Sequence, residues 1–301
     1  MQAASLKARG TLTRRAAIAS LVAALVLGLV KAYAAMQTGS VAMLGSLADT
    51  ALDLIASIVT LVGVKVAAEP ADADHRFGHG KAEPIAALLQ TIFITISAIG
   101  IGWRAIDQFG SNTAPTEAEL GIGVSVFAIL VTLALVSYQR FVVSRTASLA
   151  IDADRMHYQS DLLLNLSVIA ALVLDAILGF RGADALFGLF IALWLAWGAI
   201  GTARRALDML MDKEWADENR ARLQSIVCDV PGVDGIHELK TRRAGHTDFI
   251  QFHIWVDPDI TVRAAHDIVD VIEARVLSVF PGADVLVHVD PSDQQEISHD
   301  V

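Results

Sequence analysis

The chain has 301 residues, a formal charge of -10 and 54% hydrophobic residues, with a mean hydropathy of +0.52. Its single cysteine, Cys228, excludes a disulfide framework and a thiolate metal cluster, so metal chemistry here must use His, Asp and Glu. The acidic balance disfavours nucleic acid as a partner, because phosphate binding needs a basic face.

Six long apolar segments follow a polar N-terminal arm, residues 1–14. A helix needs about 20 apolar residues to cross a hydrocarbon core of about 30 Å, and in lipid its backbone polar groups must be satisfied within the segment. The sequence therefore predicts an all-α six-helix transmembrane domain, residues 15–210. The predicted spans cover roughly 15–37, 40–67, 83–109, 119–142, 147–178 and 183–210.

Lys and Arg are unevenly distributed around these spans. They lie in the N-terminal arm, the fourth-to-fifth loop and the exit of span six, whereas the first-to-second and third-to-fourth loops have none. The positive-inside rule then places both termini in the cytoplasm, which an even number of spans requires. We expect a multi-pass protein of the inner (plasma) membrane.

Residues 211–301 have the pattern of a soluble domain. Helices are predicted for 216–230 and 262–280, and strands for 235–242, 247–257 and 284–290. This α-β-β-α-β order predicts a small, metallochaperone-like cytoplasmic α+β domain with its helices on one face of the sheet.

Ionisable residues inside a span are costly, and by default they indicate function. Asp49 and Asp53 in span two, like His157 and Asp161 in span five, are spaced i, i+4 and so share one helix face. At 1.5 Å per residue, the first pair lies roughly 14–20 Å from the outer surface and the second roughly 15–21 Å from the inner one. The pairs therefore meet near the midplane. Together they match tetrahedral zinc coordination, and the alternative is a set of buried structural ion pairs or hydrogen bonds.

The other charged residues within the spans are weaker indications of a functional site. Lys31 in span one lies at a matching depth, and we favour a structural role in which it neutralises a carboxylate or snorkels. Asp152 and Asp154 lie near the inner end of span five, where solvation is the expected state.

Three segments resemble signatures of the cation diffusion facilitator family. Gly39–Asp53 is similar to its second-helix signature, Asp154–Asp161 to its fifth-helix signature, and His75–Glu83 to its second-to-third connection. The resemblance extends through the C-terminal domain and looks strongest to the bacterial zinc/proton antiporter branch. It implies a homodimer in the lipid bilayer that works by alternating access and is not an enzyme.

The resemblance assigns all four midplane residues to the transport site, namely Asp49, Asp53, His157 and Asp161. In this family a His at the fifth-helix position accompanies zinc and cadmium transport, while an Asp there accompanies iron or manganese. His157 therefore favours Zn²⁺ as substrate, with protons as counter-substrate. Cadmium, ferrous iron, cobalt or manganese as the main substrate is the alternative.

The loop between spans two and three resembles a second metal site of the family, formed by Asp72, His75 and His79. Gly78 and Gly80 favour a loop over a helical turn here, and a merely solvated loop is the alternative.

Lys81, at the inner end of span three, is a candidate for an ion pair with an acidic residue. The resemblance suggests Asp212, as an interlock between protomers. A snorkelling lysine is the alternative.

Histidines are also placed on the predicted strands of the tail. In the predicted hairpin, His237 and His253 fall opposite or one register apart, and His288 and Asp290 share a face of the last strand. The resemblance implies a binuclear cytoplasmic site made of these four residues and His266, with structural or regulatory ions. Surface histidines without a ligand role are the alternative.

The expected mechanism is competition between metal and protons for the same ligands, because a ligand must be deprotonated to bind metal. The sequence contains no G-x-x-x-x-G-K-[ST] phosphate loop, so we expect the proton gradient to drive transport. A membrane-anchored metal sensor and a metal channel are the rival functions.

Overall fold

The computed structural model describes residues 2–38, 41–110, 119–178 and 182–293. The described residues form two compact units, one within 9–207 and one made of 208–293 together with residues 2–8. Residues 39–40 and 111–118, which belong to the loops used to predict the orientation, lie outside the described residues.

Six long helices build the unit within 9–207. The first begins at Gln2, so the arm predicted for residues 1–14 supplies the opening turns of this helix. The helices are α1 Gln2–Thr38, α2 Val41–Ala67, α3 Ala82–Gly110, α4 Glu119–Thr146, α5 Leu149–Leu178 and α6 Ala183–Leu210.

These helices form a transmembrane domain. Five contain segments long and apolar enough to cross a membrane, and the sixth, α5, has 30 residues but carries ionisable groups in its first half. Large apolar side chains such as Leu29, Trp103 and Trp197 point out of the bundle, which suits contact with lipid and not with water. The apolar segments are Ala8–Gln37, Ser46–Ala67, Ala82–Asp107, Gly123–Thr146 and Ala183–Leu210.

Small residues let the helices approach closely. A Cβ added to Gly63 of α2 would overlap Ala86 of α3, and one added to Gly198 of α6 would lie 2.6 Å from Sδ of Met156 on α5. Small residues at helix contacts are the usual means of tight packing in membranes.

The second unit confirms the predicted α-β-β-α-β order. Its three-stranded sheet has the order β1-β2-β3, with β1 antiparallel to β2 and β2 parallel to β3. The elements are α7 Asp217–Cys228, β1 Gly235–Ala244, β2 Thr247–Val256, α8 Val262–Val279 and β3 Asp284–Pro291.

The core of this unit lies between the central strand and the two helices. Ile250, Phe252 and Ile254 of β2 are buried against Leu223 of α7 and Ile272 of α8. Since successive residues of a strand point to opposite faces, the odd-numbered residues of β2 are turned away from this core.

Candidate metal centres

Three of the four residues predicted for the midplane meet in the structure. His157 Nε2 on α5 lies 2.9 Å from Asp53 Oδ1 on α2. Ligand atoms of Asp53, His157 and Asp161 all lie within 4.8 Å of one another. The His157 side chain is 4% exposed and that of Asp53 14%. One imidazole and two carboxylates from two helices are therefore within reach of a single ion.

The contact between His157 and Asp53 has a chemical consequence. A proton shared by Nε2 and Oδ1 and a metal ion bound to both atoms exclude each other, because a metal ligand must be deprotonated. The other ring nitrogen, Nδ1, is buried without a hydrogen-bond partner among the described residues. The hydrogen bond to Asp53 therefore orients the His157 ring, and Asp53 is also the residue with which His157 would share the ion.

A cavity of about 210 Å³ lies beside this cluster. It is lined by the carboxylates of Asp49, Asp53 and Asp161 and by Lys31. A water needs roughly 10–15 Å³ of such space, so the cavity has room for a hydrated ion. Asp49 is exposed and lies outside the group whose ligand atoms are mutually within 4.8 Å. Of the four predicted ligands, it is the one set apart.

Asp154 is fully buried, so the prediction that it is solvated is wrong. One oxygen accepts hydrogen bonds from Ser20 Oγ at 2.6 Å and Gln139 Nε2 at 2.7 Å. The other accepts from Gln90 Nε2 at 3.3 Å and Thr60 Oγ1 at 3.4 Å. The donors come from α1, α4, α3 and α2, so this carboxylate of α5 joins five helices.

Asp152 is also buried, and the prediction of solvation is wrong here too. Its carboxylate lies 2.6 Å from Nη2 of Arg155, one turn along α5, and 2.9 Å from Nη2 of Arg205 on α6. Two guanidinium groups offset the cost of removing this charge from water.

The loop between α2 and α3 brings its three predicted ligands together. Asp72 Oδ1 lies 3.5 Å from Nδ1 of His75, and Oδ2 lies 3.5 Å from Nε2 of His79. The segment is a loop, as its glycines predicted, and Gly78 has a φ of 77°. The backbone N–H of His75 donates to Asp72 and lowers the pKa of this carboxyl, because the hydrogen bond favours the charged form.

Three histidines form a row across the sheet face that points away from the core. His237, His253 and His288 are in register on the three strands, with ring centroids 5.1 and 4.5 Å apart. Asp290 lies 2.8 Å from His253, 3.2 Å from His237 and 3.1 Å from His288. Burial opposes its ionisation, but the hydrogen bond from His253 and the histidine charges outweigh burial and lower the pKa of Asp290.

Glu238 joins this row, although the sequence did not predict it. Its Oε2 lies 3.8 Å from His253 Nε2, and ligand atoms of His237, Glu238 and His253 lie within 4.8 Å of one another. Strand alternation would place Glu238 opposite to His237. A φ of 47° and a register shift between His237 and Lys240 turn it to the same side.

His266 and the predicted interlock stay predictions. Nε2 of His266 lies 3.8 Å from Asp270 on the same helix, and within the described residues it belongs to none of the clusters. Asp212 Oδ1 lies 3.4 Å from Nη1 of Arg242 in its own unit. That contact does not test a pairing of Asp212 with Lys81 of another protomer.

Comparison with known families decides what kind of protein carries these clusters. Residues 17–211 match the cation efflux transmembrane domain, and residues 215–292 match the cytoplasmic domain of cation efflux proteins. The chain belongs to the cation efflux family. This confirms the resemblance to cation diffusion facilitators.

Relatives of this cation efflux protein are similar along most of its length. It is 42% identical over 282 residues to the cation-efflux pump FieF of Escherichia coli strain SMS-3-5, with 94% of both chains covered. The same values apply to FieF of Shigella flexneri serotype 5b.

Among solved structures, CzrB, described as a candidate zinc transporter, in its zinc form is 31% identical. The match covers 28% of this chain and 97% of CzrB, with a TM-score of 0.27. A nickel form of the MamM CTD is 27% identical, covering 25% of this chain and 98% of that one, with a TM-score of 0.24. Family membership does not depend on these low scores.

Membership in the cation efflux family establishes the general activity. The protein is a multi-pass membrane transporter that exports divalent cations, and it is not an enzyme. A sensor that only binds metal is thereby excluded.

Proposed function

We propose that this protein exports Zn²⁺ from the cytoplasm in exchange for protons, as an alternating-access homodimer in the inner membrane with both termini in the cytoplasm. The observation that carries the proposal is the 2.9 Å contact between His157 Nε2 and Asp53 Oδ1, with Asp161 beside them. Asp49, which lines the same cavity, completes the transport site when the helices shift.

The residue types of this site favour zinc. Imidazole nitrogen and carboxylate oxygen in tetrahedral arrangement suit Zn²⁺, whereas an all-oxygen set would suit harder ions such as Mn²⁺. His157 supplies the nitrogen in this cluster. Cadmium, cobalt and ferrous iron accept similar ligands and are the competitors to measure.

Proton exchange follows from the same contact. Zinc arriving from the cytoplasm displaces the proton shared by His157 and Asp53, and protons arriving from outside displace zinc. Each conformation thus binds either the metal or protons, which couples the two fluxes.

The position of the cavity fits an outward-open conformation. With both termini in the cytoplasm, Lys31, Ser46 and Asn165 of its lining lie on the outer halves of their helices. Asp154 lies on the opposite, inner side of His157 along α5, and its four donors reach it there from α1, α2, α3 and α4. In this proposal their hydrogen bonds close the inner side.

In this proposal the remaining clusters assist transport but do not form the transport site. The loop site of Asp72, His75 and His79 lies at the cytoplasmic ends of α2 and α3, where it would receive the ion. The row of His237, His253, His288 and Asp290, with His266, would bind structural or regulatory zinc between two protomers. Lys81 and Asp212 would interlock the protomers.

Reconstitution in lipid vesicles tests the proposal. Uptake of zinc, cadmium, iron and manganese is measured with and without a pH gradient, for the wild type, for Asp53→Ala and for Asp208→Ala. Asp208 is a matched control because it is an exposed acid paired with Lys213. We expect zinc to be preferred over the other metals and the pH gradient to accelerate zinc flux. Asp53→Ala should lose this flux, whereas Asp208→Ala should keep it. Zinc flux indifferent to the pH gradient would refute the coupling.

A further inference from the structure

Lys31 has a defined place in the transport cavity that the zinc/proton mechanism does not use. We propose that Lys31 is a tethered cation that neutralises part of the cavity and keeps zinc affinity low enough for release. This inference rests on the proposed function, since it concerns the same site.

The ammonium of Lys31 is held by α2 next to the acids. Its Nζ donates to Thr50 Oγ1 at 2.7 Å and to the backbone oxygen of Ser46 at 3.4 Å. Thr50 lies between Asp49 and Asp53 in the sequence and is itself buried. Both of these hydrogen bonds go to uncharged groups, so within the part of the chain that the structure describes they hold the ammonium at the cavity without a direct ion pair to a carboxylate.

The helix contact fixes this position. Gly28, one turn before Lys31, faces Thr50, and a Cβ added there would lie 3.6 Å from Thr50 Cγ2. Helix α1 therefore rests against α2 at the level of the acids. A snorkelling lysine would extend its charge to the membrane surface, whereas this one keeps its charge between two helices.

The charges of the cavity explain what such a cation does. With zinc bound, its ligands are deprotonated, so Asp49, Asp53 and Asp161 then carry three negative charges, His157 is neutral and Lys31 adds one positive charge. Before the ion is counted, these cavity residues sum to two negative charges. One divalent ion neutralises this set. Without Lys31, the bound ion would leave one uncompensated negative charge, and charges interact strongly in a site with low dielectric constant.

Lysine suits this role because an ammonium has only donors and cannot ligate a metal. It therefore repels the ion without entering its coordination shell. When the ion leaves, the same charge partly compensates the exposed carboxylates. Lys31 thus sets affinity and favours release, so the affinity constant and the maximal rate should respond in opposite ways to its removal.

Zinc binding and zinc flux of Lys31→Gln, Lys31→Arg and Lys65→Gln test this inference on the full-length protein. We expect Lys31→Gln to bind zinc about tenfold more tightly, which equals 1.4 kcal/mol, with a lower KM and a lower maximal rate. Lys31→Arg keeps the charge and should stay within about twofold of the wild type. Lys65 is exposed in the last turn of α2 and serves as the matched control.

Unchanged affinity and KM in Lys31→Gln would overturn the inference, and so would equal tightening in Lys31→Arg. If Lys31→Gln does not fold, Lys31→Met must show the same tightening, and weaker binding by that variant would also overturn it. Failure of the proposed function has a different signature, because zinc flux would then survive Asp53→Ala or be missing in the wild type.

Discussion

The helical unit and the C-terminal domain place the same ligand types in opposite surroundings. The His157 side chain is 4% exposed and meets Asp53 across two helices. The His288 side chain is 62% exposed at the edge of a sheet whose three histidines lie in register. In the proposed mechanism an ion in the buried cluster reaches the cytoplasm only when helices move, whereas an ion on the sheet face exchanges directly with water. Under the proposed function, burial and not ligand chemistry would suit the helical cluster to transport and the sheet cluster to regulation.

Loss of the buried imidazole should have the largest effect. His157→Ala removes a ligand, so we expect the initial rate of zinc uptake into vesicles to fall by more than about 100-fold, beyond the 10–100-fold losses typical of changes around a metal site. His253→Ala, in the exposed row, should retain at least about a third of the rate if that row regulates and does not carry flux. Equal losses in both variants would erase the distinction between the clusters.

Asp154→Ala should have the largest effect on stability. It removes the charged acceptor of Ser20 Oγ and Gln139 Nε2. Ser20 keeps the backbone oxygen of Ala16 as an acceptor, whereas one N–H of Gln139 loses its partner, and each unsatisfied buried group costs about 1–3 kcal/mol. We expect the free energy of unfolding to fall by roughly 2–5 kcal/mol, seen as a lower Tm in detergent. Asp208→Ala should change it by less than about 0.5 kcal/mol. Equal Tm values for the two variants would contradict the five-helix network.

Zinc stoichiometry can sharpen the account of the exposed row. In an Asp53→Ala, His75→Ala background, Asp290→Asn should weaken the remaining zinc binding about 10–100-fold, because Asp290 is the carboxylate that reaches all three rings. Glu238→Gln should have a smaller effect, since Glu238 reaches two of the three rings, those of His253 and His237. His266 lies apart from the row within one chain. Weaker zinc binding in His266→Ala would show that His266 is a ligand in the dimer.

The smallest expected effect is on pH dependence. The folded state lowers the pKa of Asp290, so this group stabilises the fold above its ordinary pKa of about 4, and the contribution is lost as the pH falls through the lowered value. With chelator present, the Tm of the wild type should fall more steeply below pH 4 than that of Asp290→Asn. Parallel curves would show that the row does not favour the ionised carboxylate.

Local patterns in the sequence predicted much of this structure. Alternation along the strand predicted for 247–257 puts Ile250, Phe252 and Ile254 on one face, and all three are buried. The turn position set His237 opposite His253 to within one residue. Helix rise brought Asp53 and His157 to the same depth. These features depend on the period and length of single elements, which the sequence shows directly.

Features that depend on several helices could not be predicted. Ser20 and Asp154 are 134 residues apart, and depth alone could not show that four helices turn donors towards that carboxylate. The contact of Lys31 with Thr50 depends on helix rotation in the same way. The sequence did not predict that Glu238 joins the histidine row. Its positive φ is rare for a residue with a Cβ, and no sequence pattern predicts that conformation here.

X-ray absorption at the zinc edge tests the transport site most directly. The full-length protein would carry His75→Ala and His253→Ala, so that the loop and the row no longer compete for one equivalent of zinc. We expect one imidazole and otherwise oxygen ligands, with the imidazole signal lost when His157→Ala is added. A spectrum without imidazole, or one that His157→Ala leaves unchanged, would contradict the assignment of His157, Asp53 and Asp161 to the transported ion.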